Sequence, residues 1–141
     1  MPLVFVFGTE RRGLHNHFRL GPASPLGLYQ TAEPFCMITP TQAPFPYITR
    51  NRIHPYMSNI VGELYDVPEA AIQALDTFEG HPTLASRQMI KVQNPFGEKY
   101  AWVYIIVEMQ VLKAIVAGLQ ASVYTPVPHG DWAEWIALGS R

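Results

Sequence analysis

The sequence predicts a mixed α/β domain of the α+β type, in which strands outnumber helices. Stretches rich in β-branched and aromatic residues recur along the chain, and one well-marked helix, residues 68–78, separates the two halves. The length of 141 residues is that of one domain. We therefore expect a single domain over residues 1–141, with a sheet that draws on both halves and is able to curl or close.

The first element is a strand over residues 3–7 that is buried on both faces, followed by a loop over residues 8–13. Gly8 directly follows the strand, and a glycine there lets successive backbone amides point into one concavity. Such a concavity holds a carboxylate or a phosphate without a cationic side chain. An ordinary tight turn is the alternative interpretation.

The spacing of Gly8 and Gly13 also resembles a phosphate-binding P-loop, but the match fails. Leu14 and His15 stand where that motif requires Lys and Ser or Thr, and the chain has no G-x-G-x-x-G. Nucleotide binding is therefore not expected.

The stretch from residue 20 to residue 56 is rich in Pro, Thr and Gly and holds more than half of the 13 prolines. No helical period persists in it, so we expect extended, turn-rich chain with short strands. Residues 58–65 alternate apolar and polar side chains near their centre and indicate another strand.

The helix predicted over residues 68–78 has signals at both ends. Pro68 suits the first helical position, and Gly80 suits the position just past the end. Asp76 and Glu79 lie at the end of this helix, where the helix dipole disfavours an ionised carboxylate and raises its pKa. Either acid could thus serve as a general base near neutral pH, although solvated surface acids are the common alternative.

Three elements are expected after the helix. A hairpin over residues 90–107 turns at Asn-Pro-Phe-Gly, residues 94–97. An apolar helical segment follows at about residues 111–119, and Trp132 and Trp135 are spaced as hydrophobic anchors on one face of a last helical turn.

Composition excludes several classes of function. The formal net charge is −1, so no basic excess exists for nucleic acid or an anionic membrane. The single cysteine, Cys36, excludes an intramolecular disulfide and a multi-cysteine zinc site. His15 and His17 lack a metal-binding pattern, so no metal is expected. No secretory signal or membrane span is recognised, which leads us to expect a soluble cytoplasmic protein.

Four segments, taken together and in order, resemble the γ-glutamylcyclotransferase superfamily. Within it they are most similar to the branch of γ-glutamylamine cyclotransferases and plant avirulence-induced-gene-like proteins. The segments are the opening V-F-V-F-G-T of residues 4–9 with Arg12-Gly13 and Asn16-His17, the F-P-Y of residues 45–47, the V-G-E-L-Y of residues 61–65, and the L-D-T-F-E-G-H-P of residues 75–82.

This resemblance implies a small mixed α/β barrel, closed or strongly curled, with one main helix and a pocket at the first loop. It implies that Glu79 is the catalytic residue that shuttles protons. It also implies that the backbone amides of the first loop hold the substrate's α-carboxylate, and these belong to Phe7, Gly8, Thr9 and Glu10.

The implied reaction is an intramolecular aminolysis of a γ-glutamyl amine or a short γ-glutamyl peptide. The substrate's α-amine attacks its own γ-carbonyl, and 5-oxoproline and a free amine are released. Ring closure benefits from the high effective concentration of the attacking group, so proton transfer is the main task left to the protein. The scheme requires no metal and no organic cofactor, and a monomer is favoured.

Three positions depart from the family pattern. Phe7 stands where Tyr is usual, Glu10 where Leu is usual, and Ala85 where Tyr is common, which would reshape a pocket wall. Arg11 and Arg12 are expected to be solvated. The departures motivate an alternative function, a non-catalytic protein that binds a small carboxylate, and the two arginines motivate a third, phosphate-ligand binding at residues 8–13.

Overall fold

The computed structural model describes residues 2–43 and 45–139. It contains seven strands and three α-helices among these residues. The strands are β1 (Leu3–Val6), β2 (Ser24–Pro40), β3 (Tyr47–Thr49), β4 (Met57–Asp66), β5 (Ser86–Asn94), β6 (Gly97–Ile105) and β7 (Tyr124–Val127). The helices are α1 (Glu69–Glu79), α2 (Met109–Gln120) and α3 (Trp132–Ala137), and single 3-10 turns lie at His17–Leu20 and Pro128–Gly130.

Five of the strands form a closed barrel, as the resemblance implies. The order around it is β2, β4, β1, β6 and β5, and pairing of β5 with β2 completes the circle. The pair β1 and β6 is parallel, and the other pairs of the barrel are antiparallel. Strands β3 and β7 lie outside the circle, where both pair with the second half of β2.

The expectation of short strands in the proline-rich stretch is wrong for β2, which runs as one strand of 17 residues. Its register against β4 shifts between Pro25 and Gly27 and again between Gln30 and Pro34. Such irregularities let a strand bend and tolerate residues that cannot donate to the ladder. The first half of the bent strand therefore pairs with β4 and β5, and its second half pairs with β3 and β7 as well as with the start of β4.

Alternation along the strands divides the core into two layers. Phe5, Leu64 and Val103 belong to the cluster inside the barrel. Val4 and Tyr65 belong to a second cluster on the outer face, which is covered by α1 and α2. Each strand is thus buried on both faces near its centre, which agrees with the apolar runs in the sequence.

The predicted helices are present with shifted ends. Helix α1 begins at Glu69, with Pro68 as the extended residue before it, and Gly80 adopts the left-handed conformation, with φ of 72°, that ends it. Helix α2 begins earlier than expected because the Glu108 carboxylate caps it by accepting from the Val111 amide. Among the described residues, no helix is long and apolar enough to cross a membrane.

Candidate active site

A cavity of about 410 Å³ lies where the loop after β1 meets the C-terminal end of α1. Two acids named from the sequence line it, Glu79 at the helix end and Glu10 on the loop. So do the other three predicted substrate-binding residues, Phe7, Gly8 and Thr9. Its remaining lining residues are His15, Asn16, Arg19, Phe45, Pro46, Tyr47, Phe78 and Leu84.

The loop is folded tightly against its surroundings. The Arg11 amide donates to the Gly8 carbonyl at 3.0 Å and closes a turn. Asn16 holds the turn from the side, because its amide side chain donates to the Thr9 hydroxyl at 2.8 Å. A Cβ on Gly8 would lie 2.7 Å from Cγ of Pro46, so only glycine fits this close approach.

Arg11 fixes the same loop from behind, and the expectation that its charge is solvated is wrong. Only 7% of the residue is exposed. Its Nε donates to Glu63 of β4 at 3.1 Å, and one terminal nitrogen donates to Asp131, the residue before α3, at 3.0 Å. A buried guanidinium between two carboxylates is stable only as a paired unit. Arg12 is exposed as expected, and its backbone amide alone contacts Glu63, at 2.7 Å.

We expect Arg11→Met to lower the free energy of unfolding by about 2 kcal/mol, because Glu63 and Asp131 lose their common partner. Urea denaturation measures this loss. Arg12→Met is the matched control, since only the backbone of Arg12 contacts Glu63. Equal stability of the two variants would contradict the assigned role of Arg11.

The end of α1 is anchored through Asp76, one turn before Glu79. The Asp76 carboxylate accepts from Arg87 of β5 at 2.8 Å and from the Tyr104 hydroxyl of β6 at 2.7 Å. These two donors hold the pKa of Asp76 below its ordinary value, although burial opposes them. Asp76 is therefore a paired structural carboxylate, and of the two acids in the last turn it is Glu79 that lines the cavity.

The electrostatics of Glu79 differ from those of Asp76. Burial and the nearby charge of Glu10 raise the pKa of Glu79 to about 8, and the positive charge of Arg19 opposes the rise. Burial is the main cause, so the helix dipole considered from the sequence is not needed to explain the shift. A carboxyl group with such a pKa can accept and release a proton near neutral pH.

Glu10 points inward. The residue is 9% exposed, and its Oε1 lies 3.9 Å from the position that a Cβ on Gly8 would occupy. Burial raises the pKa of the Glu10 carboxyl, while a hydrogen bond from its own backbone amide and the charge of Arg19 act to lower it. Glu10 thus places a carboxyl group of the chain itself beside the turn of amides that the resemblance assigns to a substrate carboxylate.

One further lining residue, Arg19, is not signalled by any local motif. Arg19 lies in the 3-10 turn at His17–Leu20, and its guanidinium stacks on Phe78 at 3.8 Å from the ring centre. Its Nε donates to Asn16 at 2.9 Å. The sequence indicated positive charge near the loop only through Arg11 and Arg12, so the place of Arg19 in the cavity was not predicted.

Ala85 itself does not line the cavity. It is 3% exposed and packs in the outer core cluster, while the neighbouring Leu84 lines the cavity. Within residues 2–43 and 45–139, no three His, Cys, Asp or Glu side chains are grouped closely enough to hold a metal ion.

Comparison with known proteins places this site in a family. Residues 4–134 match the family model described as gamma-glutamyl cyclotransferase, AIG2-like. A protein of Methanocaldococcus jannaschii, provisionally named a gamma-glutamylcyclotransferase, is 33% identical over 77% of this chain and 87% of its own length. The human gamma-glutamylaminecyclotransferase is 35% identical over 66% of this chain and 63% of its own length.

Solved structures agree with the sequence comparison. The crystal structure of an AIG2-like protein from mouse superposes with a TM-score of 0.65 at 26% identity, covering 79% of this chain and 82% of the mouse chain. The match to the family model spans both the loop after β1 and the end of α1, the two walls of the cavity. The chain therefore belongs to the AIG2-like γ-glutamyl cyclotransferase family.

Proposed function

We propose that this protein is a γ-glutamyl cyclotransferase that converts γ-glutamyl amines or short γ-glutamyl peptides into 5-oxoproline and a free amine. In addition to membership of the family, one structural observation supports the proposal. A turn of backbone amides suited to a carboxylate and an acid with a pKa of about 8, Glu79, line the same cavity of about 410 Å³. A cavity of this size accommodates a small-molecule substrate.

In the proposed reaction, the loop of Phe7, Gly8, Thr9 and Glu10 binds the α-carboxylate of the γ-glutamyl group. This leaves the α-amine and the γ-carbonyl toward Glu79. Glu79 accepts a proton from the α-ammonium group, and the resulting amine attacks the γ-carbonyl carbon of the same molecule. Glu79 then returns a proton to the departing nitrogen as its bond to that carbon breaks.

Holding the substrate in a bent conformation is the second contribution expected of the cavity. The apolar side chains of Phe45 and Phe78, together with Pro46, line it beside the polar loop. Such surfaces favour a compact substrate conformer and limit access of water, which would otherwise compete with the attacking amine. The proposed substrates share the γ-glutamyl group and differ in the amine that departs, so the size and charge of that amine decide the substrate range.

The direct test is the release of 5-oxoproline from a panel of γ-glutamyl amines and γ-glutamyl dipeptides, followed by chromatography with mass detection. We expect turnover of at least one member. The matching α-glutamyl compounds are the control, because their α-amine cannot reach the acyl carbon in a five-membered ring. Binding of γ-glutamyl compounds without any turnover would instead favour the non-catalytic carboxylate-binding function.

A further inference from the structure

The cavity contains a second carboxyl group, Glu10, at a position where the resemblance leads one to expect leucine. Its side chain lies beside the turn, with Oε1 3.9 Å from the position that a Cβ on Gly8 would occupy. It is nine-tenths buried. The group therefore lies beside the part of the cavity where the γ-glutamyl end of the proposed substrate would bind.

The charges around the two carboxyl groups do not balance. Arg19 is the cation among the described lining residues, and it acts on both Glu10 and Glu79. Glu10 is buried and Glu79 is half-buried in the same cavity. One guanidinium cannot neutralise two such carboxylates, and two interacting carboxyl groups that are shielded from water retain a proton between them. Titratable groups facing the pair from the surrounding elements are His15, His17, Tyr47 and Tyr104.

Neither of the two tyrosines among these four side chains supplies a positive charge to the carboxyl pair. The ring of His17 contacts the backbone carbonyl of Glu10 through Nδ1, at 2.8 Å, rather than its carboxyl group. The hydroxyl groups of Tyr47 and Tyr104 stay protonated because burial raises both of their pKa values. Arg19 itself is held in place by Asn16 and by stacking on Phe78.

We propose that Glu10 is a second catalytic carboxyl group, which shares one proton with Glu79 across the cavity and divides the proton transfers of ring closure with it. The proposal rests on the proposed function. In this scheme one carboxyl group is the base that takes a proton from the α-ammonium group. The other is the acid that supplies a proton to the departing nitrogen. A site with one carboxyl group performs both tasks in succession.

The protons balance over one cycle. The pair starts with one proton, and its ionised member takes a second from the α-ammonium group. The neutral amine attacks the γ-carbonyl carbon, and a carboxyl group protonates the departing nitrogen as its bond to that carbon breaks. The ring nitrogen then returns its surplus proton to the pair, which passes one to the released amine. The products are 5-oxoproline and an alkylammonium ion, and the pair again holds one proton.

The first experiment measures the pair without turnover. Carbon-13 NMR of side-chain-labelled glutamate follows the Glu79 carboxyl signal with pH, and the signal is assigned by its loss in Glu79→Gln. We expect the Glu79 midpoint to fall by about one pH unit or more in Glu10→Gln, because interacting groups titrate as a pair. Glu69→Gln, at the exposed start of α1, is the matched control and should leave the midpoint unchanged.

The second experiment measures the consequence for catalysis. In Glu10→Gln, the rise of kcat/KM with pH should move to lower pH by the same interval, and the limiting kcat should fall about tenfold. Glu10→Leu should show the same displacement, which guards against a variant that fails to fold. A merely structural role for Glu10 would change kcat or KM without displacing the pH profile.

The outcomes separate the two proposals. A wild-type protein that releases no 5-oxoproline overturns the proposed function, and the NMR titration still decides whether the two groups share a proton. Turnover with an unchanged Glu79 midpoint and pH profile in both Glu10 variants overturns the second catalytic carboxyl group and leaves the proposed function intact.

Discussion

Glu79→Gln should abolish release of 5-oxoproline, with a loss in kcat of about 100-fold or more, the usual contribution of a positioned general acid and base. The amide has nearly the size and shape of the carboxyl group but cannot take a proton from the α-ammonium group. Initial rates measured with the most active γ-glutamyl compound give the loss. Glu69→Gln is the control, because that exposed residue lies at the other end of α1.

Thermal unfolding distinguishes a chemical loss from a structural one. The pKa of Glu79 is raised from 4.5 to about 8 in the folded protein, so the folded state binds more protons than the unfolded state in this interval. Stability of the wild type should therefore fall as pH rises from about 4.5 to about 8. Glu79→Gln removes this contribution, so its Tm should exceed that of the wild type at pH 8 and depend less on pH.

Retained turnover in Glu79→Gln would contradict the role assigned to Glu79. Loss of turnover together with a lower Tm at every pH would attribute the effect to damage of the helix end instead. We expect an inactive variant that is at least as stable as the wild type near pH 8, and damage to the helix end cannot produce that combination.

Gly62→Ala should lower the free energy of unfolding by about 3 kcal/mol, the upper end of the usual cost of overpacking. Gly62 lies in β4 inside the barrel, and a Cβ there would be 2.6 Å from Cζ of Phe5 and closer still to the carbonyl oxygen of Val6. Strand β1 cannot retreat, because it is paired with β4 on one side and with β6 on the other. Overpacking of this kind forces backbone shifts, which are costly in a closed sheet.

Urea denaturation measures the cost, and a double-mutant cycle with Phe5→Leu tests its cause. Shortening Phe5 removes one of the two obstructions, so the double variant should lose less stability than the sum of the single variants. Ser58→Ala in the same strand is the control for a small substitution that adds no atom. Additive losses in the cycle would exclude the Phe5 ring as the source of strain.

The candidate site shows how far local reasoning reaches. Gly8 after a buried strand and Glu79 in the last turn of a helix were identified from position alone, because turn geometry and helix ends follow from neighbours in sequence. The structure brings both to one cavity. The orientation of Glu10 could not be derived in this way, since it depends on burial by residues far along the chain.

Arg11 illustrates the same limit of local reasoning, because the sequence predicted a solvated charge and the structure buries it. An arginine in a polar loop is usually solvated, and the partners that bury it lie 52 and 120 residues away in sequence. No periodicity or spacing near residue 11 indicates Glu63 or Asp131. Its role emerges only when β4 and the start of α3 are assembled behind the loop.

Sequence by itself determined the elements that depend on local propensity and pattern, namely strand β1, the loop after it, strand β4, helix α1 with its glycine end, and the β5–β6 hairpin. Motif order added the expectation of a barrel. Tertiary structure alone decided that β2 continues unbroken through its prolines, that β5 pairs with β2 to close the circle, and that Glu10 faces the cavity of Glu79. Strand closure and the burial of charged side chains are set by long-range contacts, and those contacts have no local signature.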